Sequence, residues 1–139
     1  MKYLGLDVGD RRVGAAVGDD ELRIATPVDV IERKSIEEDA RSIGDLQKKY
    51  SAEHLVVGLP RNMDDSSGAQ AEAVQAYGAM VARVLGLPLT FWDERLTTIE
   101  ATERIHAGGG KGKKSRRTLD AIAASVILQD FLDSQQNQQ

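Results

Sequence analysis

Cysteine is absent from the 139 residues, which removes any disulfide framework and any thiolate metal site. Histidine is nearly absent, and His54 and His106 stand too far apart to offer a ligand spacing, so zinc is not expected. No apolar run approaches the roughly 20 residues of a membrane span. The opening MKYLGLDVG is too short and too mixed for a secretory signal. Internal repeats, linkers and low-complexity segments are missing as well. The expectation is one soluble, cytoplasmic domain over residues 1–134, with a frayed polar tail at 135–139. It would be a monomer or weak dimer with no membrane partner.

A net charge of −4 argues against a surface uniformly attractive to nucleic acid. The distribution of charge says something different. KGKKSRR, residues 111 to 117, places five cations in seven residues, namely Lys111, Lys113, Lys114, Arg116 and Arg117. Arg11, Arg12, Arg61 and Arg95 fall in or beside predicted turns. Each arginine can be ordinary solvated surface. The heptad is less ordinary, because Gly110 and Gly112 read as keeping it a mobile, uncompensated loop.

Hydrophobic patterning predicts strands over 2–8, 11–19 and 23–33, joined by short turns and hence antiparallel neighbours. Pro27 puts the third strand at an edge. Residues 35–50 read as a helix opened by a Ser35/Glu38 capping box, with Ile36, Ala40, Ile43 and Leu46 on one face. A fully apolar strand at 54–60, an alanine-rich helix at 66–86 and a strand at 87–94 follow. A helix over 97–108, the basic loop, and a helix over 117–133 complete the chain. The last has Leu119, Ile122, Ala123, Val126 and Ile127 as its expected apolar stripe. This order implies an α/β fold, a mixed five-stranded sheet of three antiparallel strands and then two βα crossovers, with helices on both faces.

Ligands of such sheets sit beyond the carboxyl ends of the parallel strands, and those ends carry acids. Asp7 closes the first strand, Asp93 and Glu94 close the fifth, and Asp120 lies near the start of the last helix on the flank of its stripe. Taken singly, Asp7 can be a turn residue before glycine and Asp120 a helix N-terminal acid. Thr97 and Thr98 read as helix caps, and Tyr77, Phe91 and Trp92 as packing residues rather than base-stacking platforms. Taken together, acids at three converging ends and cations in the surrounding loops suit a hard divalent cation and a phosphate backbone. That chemistry is metal-assisted phosphodiester cleavage.

Four ordered blocks, LGLDVGDRRVGAAV, VVGLPRNMDDSSGAQA, FWDERLTT and TLDAIAASVILQDFL, resemble the marks of the bacterial YqgF/RuvX family. The resemblance implies an RNase H-like nuclease domain and a nuclease maturing the 5′ end of precursor 16S rRNA. It also implies catalytic and metal-binding acids at Asp7, Glu94 and Asp120, with Asp93 as the alternate, holding Mg²⁺ or Mn²⁺. Nucleic-acid contacts would come from the basic residues named above. Enzymes of this fold usually carry an acid at the end of the fourth strand, where this chain has Gly58 and Leu59. The third acid must then reach from strand five across strand four, roughly 10 Å at the backbone, which favours the longer Glu94 over Asp93.

Rival readings are a junction-resolving DNA endonuclease, which needs two symmetric sites, and a non-catalytic RNA-binding module of ribosome assembly with a decayed site. An actin-like ATPase, suggested by LDVGDRRVGAAV, needs two domains of this fold, and 139 residues supply one.

Overall fold

The computed structural model describes residues 1–60, 68–94 and 113–136. Its elements are β1 (Lys2–Val8), β2 (Arg12–Asp19), β3 (Thr26–Glu32), α1 (Ile36–Lys49), β4 (His54–Leu59), α2 (Ala69–Leu85), β5 (Leu89–Asp93) and α3 (Lys113–Gln136). The five strands form one sheet in the order β3-β2-β1-β4-β5. β1 pairs antiparallel with β2, and β2 with β3. β1 pairs parallel with β4, and β4 with β5. This is the mixed sheet expected, with Pro27 on an edge strand.

Local chemistry accounts for the element ends. The Ser35 hydroxyl accepts from the Glu38 amide and donates to the Glu38 carboxylate, so α1 starts where the capping pair stands. α2 stops at Gly86, whose φ of 67° is the left-handed conformation a glycine adopts without a Cβ penalty. Strand alternation then divides the core between the two faces of the sheet. Leu4, Leu6, Val13, Leu55, Val57 and Leu59 pack with Ile43, Tyr77 and Val81 of α1 and α2. Tyr3, Ala16 and Val56 pack with Ala124, Ile127, Leu128, Phe131 and Leu132 of α3.

Two expectations for α3 need correction. The helix begins at Lys113, not Arg117, so Lys113, Lys114, Arg116 and Arg117 lie on helical backbone rather than in a loop. Glycine ends at residue 112, and lysine, arginine and serine after it are adequate helix formers. The buried stripe is also rotated from the one expected. Ala121, Ala124, Ile127, Leu128, Phe131 and Leu132 are buried, whereas Leu119, Ile122, Ala123 and Val126 are only half-buried. The sheet selects this face, because it is glycine-lined beneath the helix. A Cβ at Gly5 would stand 2.9 Å from Leu128 Cβ, and one at Gly14 would collide with the Asp120 carbonyl. Ala121 and Ala124 of α3 therefore come close to the sheet backbone, with Ile127, Leu128, Phe131 and Leu132 on the same buried face. α3 runs to Gln136, and the Tyr3 hydroxyl donates to Gln135 Oε1 at 3.4 Å. The helix expected over 97–108 lies outside the described residues.

Candidate active site

Asp7 is the penultimate residue of β1 and shares the face of Tyr3 and Gly5, the face that α3 covers. Its partner across the antiparallel ladder is Gly14. The backbone of Asp120 rests on that glycine, in the space any side chain would fill. One glycine thus decides how close the first turns of α3 come to the end of β1. Asp120 lies near enough to push the Asp7 carboxyl up electrostatically.

Glu94 immediately follows β5 and reaches back across β4. Its Oε1 lies 3.0 Å from where a Gly58 Cβ would stand, and its carboxyl is hydrogen-bonded to Asp7. The position at the end of β4 that lacks an acid is therefore the opening through which the β5 acid arrives. Asp93 is directed elsewhere. Phe91 packs with the α1/α2 core and Trp92 with the α3 core, so alternation sends Asp93 to the face opposite Asp7.

Burial is the main reason that both carboxyls hold protons unusually well, Asp7 pushed up to about 6 and Glu94 to about 7. The hydrogen bond between them favours the charged Asp7 and the protonated Glu94, so Glu94 donates and Asp7 accepts. Among the described residues no cation is among the groups that shift these two half-buried acids. Arg12 is engaged with the third acid instead: its Nε donates to Asp120 Oδ2 at 2.6 Å.

Among the described residues no group of three acids stands in ligand geometry. Asp7 and Glu94 are in contact, and Asp120 is beside them but held by Arg12. Their chemistry nevertheless fits a hard divalent cation, since two oxygen donors with raised proton affinity would exchange the shared proton for a metal charge. Asp7 and Glu94 would hold the ion, with Asp120 as the third donor once released. Arg11 is exposed on the β1–β2 turn, and its carbonyl accepts from the Arg33 amide. Arg61, Arg95 and Lys111 lie outside the described residues.

One cluster escaped the sequence reading. Asp39 is buried in α1, where it accepts from the Tyr77 hydroxyl at 2.9 Å and the Lys34 amide at 2.8 Å. The Arg33 guanidinium stacks 4.5 Å over the Tyr77 ring and donates to the Gly9 carbonyl at 2.8 Å, bracing the turn behind Asp7. The signal was available: Asp39 falls three residues after Ile36 and four before Ile43, within the apolar face of α1.

Comparisons with known proteins bear on the family and the fold. A protein of Caldanaerobacter subterraneus subsp. tengcongensis named "Putative pre-16S rRNA nuclease" is 46% identical over 138 residues, covering 99% of each chain. One of the same name from Anaeromyxobacter sp. is 44% identical, covering 96% of this chain and 97% of its own. Among solved structures, Thermus thermophilus RuvC with a Holliday junction substrate superposes with a TM-score of 0.64 at 14% identity, covering 99% of this chain and 96% of its own. Fowlpox virus resolvase with Holliday junction DNA gives 0.58 at 8% identity, covering 97% and 99%. These two share the fold, that of RNase H-like resolvases. The family model described as "RuvX: Holliday junction resolvase" matches residues 1–134, and the chain belongs to this RuvX family.

Proposed function

We propose that this chain is a nuclease that hydrolyses phosphodiester bonds with the help of Mg²⁺ or Mn²⁺, and that it processes the 5′ end of precursor 16S rRNA in the cytoplasm. The observation that carries the reading is the Asp7–Glu94 contact beside Asp120, formed at the carboxyl ends of β1 and β5. The relatives named as pre-16S rRNA nucleases support the choice of substrate.

Asp7 and Glu94 would bind the cation by giving up their shared proton. When bound, the cation supplies Lewis-acid activation of the phosphodiester and of the attacking water. The chain's own residues do the rest. Asp7 and Glu94, anchored at the ends of β1 and β5 on either side of β4, would set the position of the reacting phosphate. Arg12 and the cations Arg11, Arg61, Arg95, Lys111, Lys113, Lys114, Arg116 and Arg117 would contact the phosphate backbone, giving affinity without sequence selectivity. Four of them lie at the start of α3, just before Asp120, and would draw the strand toward the acids.

The test offers precursor 16S rRNA ends and four-way DNA junctions side by side, with Mg²⁺, Mn²⁺ or a chelator. Metal-dependent cleavage of the rRNA precursor is expected, with Asp7→Asn and Glu94→Gln at least about 100-fold slower. Cleavage of junctions alone would replace the substrate assignment with DNA resolution, which the family model's description favours. RNA binding without cleavage would leave a non-catalytic assembly module.

A further inference from the structure

We propose that Arg12 is an internal competitor for the divalent cation, holding Asp120 out of the cation site until a substrate phosphate draws the guanidinium away. This rests on the cation site proposed above and concerns its regulation.

Arg12 opens β2, and Asp120 sits over Gly14 two residues further along the same strand. Their 2.6 Å charge-assisted bond commits Asp120 Oδ2 to the guanidinium. An oxygen so engaged is a poor ligand, and the positive charge beside it repels a second cation. Asp120 is then left with Oδ1 alone to offer a cation. The pair is also open to exchange, because the side chains are 37% and 30% exposed, so an incoming phosphate can reach the guanidinium. Glu32 stands opposite Arg12 in the β2–β3 ladder and adds attraction from β3. A phosphate oxyanion matches the planar guanidinium fork better than a single carboxylate oxygen does. Once Arg12 turns to phosphate, Asp120 is free for the cation. Linkage makes the effect reciprocal, so phosphate and cation raise each other's affinity by the same factor. The device would keep the site weakly metallated until substrate arrives.

The test is Mn²⁺ binding to the intact chain without nucleic acid, followed by calorimetry and by the spin-resonance signal of free Mn²⁺. Arg12→Gln should bind Mn²⁺ about three- to fivefold more tightly than wild type, the scale of a partly exposed ion pair. Arg12→Lys keeps the charge without the fork and should fall between them; it also serves if Arg12→Gln melts abnormally. In an Asp120→Asn background the Arg12→Gln gain should vanish. Sulfate, as a phosphate stand-in at constant ionic strength, should tighten Mn²⁺ binding to wild type and not to Arg12→Gln. Equal or weaker binding by both Arg12 variants overturns the inference. So does a gain that persists in Asp120→Asn, or a sulfate effect that persists in Arg12→Gln. Mn²⁺ binding that Asp7→Asn leaves intact overturns the cation site itself. Binding lost in Asp7→Asn but indifferent to Arg12 overturns only the competitor role.

Discussion

Replacing Asp7 by Asn should make the metal-free protein more stable at neutral and alkaline pH, although it removes the residue placed at the centre of the site. Asp7 is raised from 3.8 to about 6, so between about pH 4 and pH 7 the native state binds more protons than the unfolded chain. Stability then falls as pH rises through that window. A shift of about two units corresponds to a penalty near 3 kcal/mol once the carboxyl is ionised, taken as a ceiling. Glu94 contributes a further, smaller part, because it is more exposed and because some of its elevation comes from Asp7. Asn keeps the shape, donates to the Glu94 carboxylate and removes one of the two crowded charges. The expected gain at pH 8 in a chelator is about 1–3 kcal/mol, or roughly 3–10 °C in Tm for a domain of this length. Thermal melts of wild type and variant from pH 4 to pH 8 measure it. The curves should draw together toward pH 4, where native Asp7 is protonated, and meet only below the unfolded value of 3.8, where Asp7 is protonated in both states. Saturating Mg²⁺ should reverse the order, since only wild type gains stability from a ligand that binds its folded form. An Asp7→Asn protein that melts at or below wild type at pH 8 without metal would refute the reasoning. A wild-type Tm that does not fall between pH 5 and pH 8 would do the same.

Two further substitutions probe what surrounds the pair. Gly14→Ala places a methyl group against the Asp120 carbonyl, a backbone atom that cannot rotate away; a loss of about 3 kcal/mol or more in urea unfolding is expected, at or above the upper end for overpacking, and a loss below 1 kcal/mol would mean that α3 shifts easily. Asp39→Ala leaves the Tyr77 hydroxyl and the Lys34 amide without their acceptor and should cost about 2–4 kcal/mol by the same measurement, with Mn²⁺ binding retained if the cluster only braces the turn behind Asp7.

Local patterning was enough for the elements and their order among the described residues. Period-two and period-3.6 patterning, a capping serine and a left-handed glycine act within a few residues, and β1 matched its expected bounds of 2–8. It also marked Asp7, Glu94 and Asp120 as acids at converging ends, and the choice of Glu94 over Asp93 followed from reach and is consistent with strand parity. Other features came only with the tertiary structure. Hydrophobicity assigned α3 the face of Leu119, Ile122 and Val126, whereas the glycines of the sheet admit the smaller Ala121 and Ala124. The empty β4 position became intelligible when Gly58 was found beside the Glu94 carboxylate. Which acids pair with each other, and which is held by Arg12, depends on contacts between residues 87 and 108 positions apart in the chain. Local patterning reports which side chains avoid water; it carries no information about which of two distant charges will be nearest once backbones can pack only where a Cβ is missing.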